Sequence, residues 1–68
     1  MKSMKEVKAE CVARIEKAFV PALVKAKDEV DVNTILWLKE KANKPKSETL
    51  KNLRFAANIL EEMAEREV

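Results

Sequence analysis

The chain has 68 residues and a formal net charge of +2, and it contains one cysteine, no histidine and no glycine. A chain of this length buries only about 60% of the surface that it exposes when unfolded, so a core of its own leaves it marginally stable. The single cysteine excludes an intramolecular disulfide, and the absence of histidine excludes the usual Cys/His zinc sites.

Glycine supplies most hairpin turns and phosphate-binding loops, so its absence argues against β-hairpins and nucleotide-cradling loops. Hydrophobic residues make up 47% of the chain and charged residues 38%, which leaves little neutral polar sequence for long loops. These features predict an all-α fold without a cofactor or metal. Helix packing or association with partners must then supply the stability.

The first predicted helix covers about residues 3–29. Its apolar residues recur at spacings of three and four, which places them on one broad helical stripe. They are Met4, Val7, Cys11, Val12, Ile15, Ala18, Phe19, Ala22, Leu23, Ala26 and Val30. Pro21 interrupts this segment, but the stripe keeps its phase on both sides. The pattern therefore favours one long helix kinked near Pro21 over two separate helices.

A second, short helix is predicted at about residues 33–43. Asp31, Asn33 and Thr34 precede or open this segment, and their side chains are good acceptors for the free N–H groups at a helix start. Asn43 is expected to end it, because asparagine can replace the glycine that commonly follows a helix.

The third helix is predicted at about residues 46–66. Pro45 suits a first helical turn, and Ser47 is the expected N-terminal cap. Beyond the cap, apolar residues repeat every three or four positions as far as Ala64. The connections are only a few residues long, which predicts a small three-helix bundle, with residues 1–68 forming one helical domain.

The apolar residues outnumber the positions that a monomeric three-helix core can cover. A second strip runs along helix one, helix two has four consecutive apolar residues, and helix three has an apolar face wider than its main seam. The predicted protein-interface residues are Val20, Val24, Leu36, Trp37, Phe55 and Ile59. Exposed apolar patches of this size mark partner surfaces, so assembly into a homodimer or higher oligomer is expected, with Trp37 as the anchor.

Catalysis is not expected, so the chain is predicted not to be an enzyme. Cys11 has no histidine to activate it and lies on the apolar stripe, where cysteine behaves as a small buried hydrophobe. The carboxylates alternate with basic residues at helical spacing, as is typical of solvated helix faces. No segment is long and apolar enough to span a membrane, and the N-terminus is too charged for a signal peptide, so a cytoplasmic location is expected.

A basic segment lies where helices two and three meet. The segment from Lys39 to Arg54 contains six lysines and arginines but only two glutamates. The segment LKEKANKPKSETLKNLR resembles the turn and second helix of helix-turn-helix and ribbon-helix-helix proteins, although its turn lacks glycine and no strand precedes it. The resemblance implies that DNA would be contacted by Lys44, Lys46, Ser47, Thr49, Lys51, Asn52 and Arg54.

Two functions are therefore weighed. The leading one is a small non-catalytic helical module for protein–protein interaction, which self-associates and acts stoichiometrically as an adaptor or inhibitor of another protein. The alternative is a small helix-turn-helix-like regulator that binds DNA through the basic segment. The absence of glycine and histidine would also suit a designed bundle, but Pro21 inside a helix and the lone Cys11 are atypical of designs.

Overall fold

The computed structural model describes residues 1–67, and these form three α-helices with no strand among them. The helices are α1 (Met4–Lys25), α2 (Glu29–Asn43) and α3 (Leu50–Ala64), and a 3₁₀ turn at Pro45–Ser47 precedes α3. The predicted all-helical, three-helix architecture is confirmed. Within the described residues, no helix combines the length and apolarity needed to cross a membrane.

The first helix begins one residue later and ends four residues earlier than predicted. Ser3 caps its start, where the Ser3 hydroxyl accepts a hydrogen bond from the Glu6 N–H (3.2 Å). The helix continues through Pro21 and ends at Lys25, since the next residue, Ala26, adopts an extended conformation. The kink expected near Pro21 stays a prediction.

The second helix begins at Glu29, four residues before the predicted start. Its cap is Asp28, whose carboxylate accepts a hydrogen bond from the Asp31 N–H (2.9 Å). Asp31 and Thr34 therefore lie inside the helix, where the Thr34 hydroxyl donates to the Val30 carbonyl (2.9 Å). Asp28 takes the capping role, whereas the Asp31 carboxylate accepts from the Lys27 N–H and from the Arg66 guanidinium.

The third helix begins at Leu50 rather than at residue 46 and ends at Ala64 rather than at residue 66. The predicted cap, Ser47, lies in the 3₁₀ turn instead. The actual cap is Thr49, whose hydroxyl accepts from the Asn52 N–H (3.1 Å). Both hydroxyl residues are acceptable caps, so the sequence alone does not distinguish them. Ser47 belongs to the 3₁₀ turn that begins at Pro45, and the prediction of the cap was therefore wrong.

Contacts between residues far apart in sequence show the relative directions of the three helices. The side chain of Arg14 in α1 binds Glu61 in α3, and Lys25 at the end of α1 donates to the Arg66 carbonyl just beyond α3, so α1 and α3 are parallel. Asp31 near the start of α2 also binds Arg66 (2.8 Å), which makes α2 antiparallel to both.

Small side chains make up much of the core. Five of its members are alanines, and the largest fully buried side chains are isoleucines and leucines. The buried residues are Cys11, Ile15, Ala18, Ala22, Ile35, Leu38, Ala42, Leu53, Ala56, Ala57, Leu60 and Met63. The prediction that Cys11 is a buried hydrophobe is confirmed. Such a core lets the helices approach closely but buries little apolar area per residue.

A candidate protein interface

The largest apolar side chains lie outside the core. Trp37 is 57% exposed and Phe55 53% exposed, while Phe19 is partly buried against the core. Aromatic side chains bury 150–250 Å² each when fully covered, so leaving two of them half exposed forgoes much of the available hydrophobic stabilisation. The exposed aromatic residues are therefore the first candidates for a binding surface.

Trp37 and Phe55 each lie one helical turn from a residue that lines the groove between α2 and α3. Thr34, one helical turn before Trp37, lines this groove together with Ile59, which is one turn after Phe55. The Nζ atom of Lys41 lies 4.4 Å from the centre of the Trp37 ring, a cation–π contact that holds the indole against the outside of α2. We refer to Trp37, Phe55 and Ile59 as the α2–α3 edge.

Other exposed apolar residues lie on α2 and α1. Leu36 (49% exposed) is three residues before Lys39, whose Nζ atom contacts the Phe19 ring of α1 (5.5 Å), so Leu36 is on the side of α2 that faces α1. On α1 itself, Val20 (61%) and Val24 (73%) are exposed one turn apart. These two valines lie nearly opposite the buried stripe of α1, so they form an outer face of that helix.

Five of the six predicted interface residues are thus exposed, and the sixth is not. Ile59 is partly buried and packs against the core. Met63, one turn further along α3, is 5% exposed and belongs to the core. Both residues are covered because α2 packs on this side of α3, a contact that the periodicity of α3 alone does not reveal.

The residues predicted to contact DNA divide into two groups. Thr49 and Asn52 are used within the fold: Thr49 caps α3, and the Asn52 amide donates to the Glu48 carboxylate (3.4 Å). Glu48 also lies 3.7 Å from the Lys41 Nζ atom, which places a negative charge inside the basic segment. The remaining predicted contacts are exposed to solvent; they are Lys44, Lys46, Ser47, Lys51 and Arg54.

Helix packing adds two lysines to this basic region that the sequence did not reveal. Lys5 and Lys8 at the start of α1 line a shallow groove together with Pro45 and Lys46 of the 3₁₀ turn. The floor of this groove is apolar and includes Met4. These lysines are about forty residues from Lys46 in sequence, so only the tertiary fold brings them together.

The side chains with shifted pKa values lie in contacts that join helices. A hydrogen bond from Arg14 lowers the pKa of Glu61, and the same bond raises the pKa of Arg14. The pKa of Asp31 is lowered first by the Lys27 backbone N–H and then by Arg66. Glu61 pairs with Arg14 and Asp31 pairs with Arg66, so these shifts reflect local hydrogen bonds and ion pairs of the bundle and not a reactive pocket.

Among the described residues, no group of three or more Cys, Asp or Glu side chains is arranged to hold a metal ion. No protein-family model matches this chain, and comparison with curated proteins and with solved structures gives no significant match. The functional proposals concern two surfaces: the exposed apolar residues of the three helices and the basic region around the 3₁₀ turn.

Proposed function

We propose that this protein is a small non-catalytic interaction module that self-associates in the cytoplasm and acts stoichiometrically as an adaptor or inhibitor of another protein. The observation that carries the proposal is the exposure of Trp37 and Phe55 above a core built largely from alanine, isoleucine and leucine. Tryptophan is among the residues most enriched at interface hot spots, and an exposed aromatic held in place by a neighbouring cation is already ordered for binding.

Self-association would also increase the stability of the fold, which so small a core leaves marginal. Apolar surface removed from water contributes about 25 cal/mol per Å², so even a small interface adds appreciably to a marginal fold before the cost of association is subtracted. A two-fold symmetric dimer is the commonest closed assembly, and it allows one surface to cover its own copy.

A pair of lysine substitutions tests this function. Trp37→Lys places a charge on the exposed apolar surface, and Asn58→Lys makes the same change of charge at an exposed position of α3 outside the candidate interface. We expect Trp37→Lys to abolish self-association, measured by sedimentation equilibrium, and Asn58→Lys to weaken it much less. Equal association of the two variants would contradict the assignment of Trp37 as the anchor.

The only tryptophan of the chain gives a second readout. Trp37 emission from the unmodified protein should shift to shorter wavelength as concentration rises, because association removes the exposed part of the indole from water. Emission that stays constant while the protein associates would show that Trp37 lies outside the interface.

The second candidate function is nucleic-acid binding, and one observation favours it. The groove that joins Lys5 and Lys8 to Lys46 extends the basic region beyond the segment that resembles helix-turn-helix proteins. Lysines that neutralise phosphates make binding strongly dependent on salt. Titration into duplex DNA at low and moderate salt tests this function: a Lys8→Ala/Lys46→Ala variant should bind more weakly with a shallower salt slope, and the absence of salt-sensitive binding by the wild type would contradict it.

A further inference from the structure

The outward face of α2 carries a stripe whose residue spacing is symmetric. Six side chains, all exposed, follow one another at intervals of four, three, one, three and four residues. At about 100° per residue the members within α2 span a sector of about 100°, with Leu36 and Trp37 at its two borders, and this sector lies opposite the buried face formed by Ile35, Leu38 and Ala42. The stripe consists of Glu29, Asn33, Leu36, Trp37 and Glu40 within α2, and of Lys44, which directly follows the helix.

The chemistry of the stripe changes from one end of the helix to the other. Its centre is apolar, with Leu36 and Trp37 adjacent. Its N-terminal end is acidic at Glu29, and its C-terminal end is basic at Lys44. Neither of these charged residues forms an ion pair within the part of the chain that the structure describes.

An antiparallel copy of α2 fits this pattern at every position. A two-fold axis between Leu36 and Trp37 places both residues of both copies at the centre of the contact. The same axis sets Asn33 opposite Glu40, where an amide can donate to a carboxylate, and Glu29 opposite Lys44. A parallel arrangement would instead set Glu29 against Glu29 and Lys44 against Lys44, so the charges select the antiparallel one.

We infer that α2 is a homotypic docking surface: two copies of the chain pair through antiparallel α2 helices, with Leu36 and Trp37 at the centre and Glu29–Lys44 contacts at both ends. Val20, Val24 and Phe55 are exposed on the two neighbouring helices. The inference rests on the self-association proposed above and specifies its geometry.

Complementary charge reversal tests the geometry directly. In a Glu29→Lys homodimer both end contacts become lysine against lysine, and in a Lys44→Glu homodimer both become glutamate against glutamate. When the two variants are mixed, the heterodimer regains opposite charges at both ends. Glu6→Lys and Lys51→Glu are the controls, since they reverse exposed charges in the first turns of α1 and α3.

Dissociation constants are measured by sedimentation equilibrium at low salt, and circular dichroism confirms that each variant remains helical. We expect each α2 variant alone to associate on the order of tenfold more weakly than the wild type, because two exposed charge pairs are reversed. An equimolar mixture of the two should recover the wild-type dissociation constant, and the control variants should associate as the wild type does.

The outcomes separate this geometry from the proposed function. If the wild type associates but the α2 variants behave like the controls, or if mixing them recovers nothing, the antiparallel α2 arrangement is wrong while self-association stands. If the wild type stays monomeric at high micromolar concentration, self-association itself is wrong, and the α2 pairing falls with it.

Discussion

Arg14 of α1 binds Glu61 of α3 through two parallel hydrogen bonds, from Nε to Oε2 (2.9 Å) and from Nη2 to Oε1 (2.6 Å). Nη2 also donates to the Asn58 side-chain oxygen (2.8 Å). Both side chains of the pair are about 40% exposed, so water weakens it. We expect Arg14→Ala to lower the free energy of unfolding by about 1 kcal/mol.

Urea denaturation measures this change. Arg54→Ala is the matched control, because it removes an exposed arginine from α3 and should change stability by less than about 0.5 kcal/mol. Equal unfolding midpoints for the two variants would show that the Arg14–Glu61 pair contributes nothing to the bundle.

The lowered pKa values of Glu61 and Asp31 make stability depend on pH in a defined direction. A carboxylate whose pKa is lower in the folded state stabilises the fold above its unfolded pKa, and that contribution is lost as pH falls through the folded value. The wild type should therefore lose stability below about pH 4.

The variant Glu61→Gln isolates one part of this dependence. Near neutral pH it should be less stable than the wild type, since it lacks the ion pair with Arg14. The difference should shrink as the medium becomes acidic. Thermal unfolding at several pH values measures both proteins, and a difference that is constant with pH would contradict the assignment.

The start of α3 offers a comparison of two neighbouring hydroxyl residues. Thr49 accepts the Asn52 N–H and caps the helix, whereas Ser47 lies in the preceding turn. Thr49→Ala should cost about 1 kcal/mol of stability, and Ser47→Ala should cost much less. Chemical denaturation of both variants measures these losses in stability. A larger loss of stability for Ser47→Ala than for Thr49→Ala would indicate that the helix begins earlier than it does in the structure.

Pro21 lies inside α1 and cannot donate the backbone hydrogen bond expected at that position. Replacing it with alanine restores an N–H and a better helix former, although the unfolded chain also gains freedom. We expect Pro21→Ala to raise the free energy of unfolding by about 1–2 kcal/mol, and therefore the melting temperature. Glu16→Ala, at another exposed site of α1, is the control. A lower melting temperature for Pro21→Ala would show that the proline shapes the packing of α1.

Much of the fold follows from apolar periodicity and composition. The number of helices, their order and the burial of Cys11 all depend on spacings within single helices, which the sequence contains directly. The helix ends were predicted less well. Asp28, Asp31 and Thr34 can each accept the first N–H groups of a helix, and tertiary contacts decide among them, since Asp31 is also bound by Arg66.

The candidate interface was predictable to a similar extent. Exposure of Val20, Val24, Leu36 and Trp37 follows from helical geometry once the buried stripe is known. The position of Ile59 depends on which side of α3 receives α2, and the approach of Lys5 to Lys46 depends on how α1 packs against the turn. Both are long-range contacts that no local pattern encodes.

The central claim is that the exposed aromatic and aliphatic residues around α2 form a surface that a second copy covers. Sedimentation equilibrium of the unmodified protein from low to high micromolar concentration measures this most directly. We predict a rise in average mass towards twice that of one chain, which Trp37→Lys abolishes. A mass that stays at one chain across the whole range would contradict the claim.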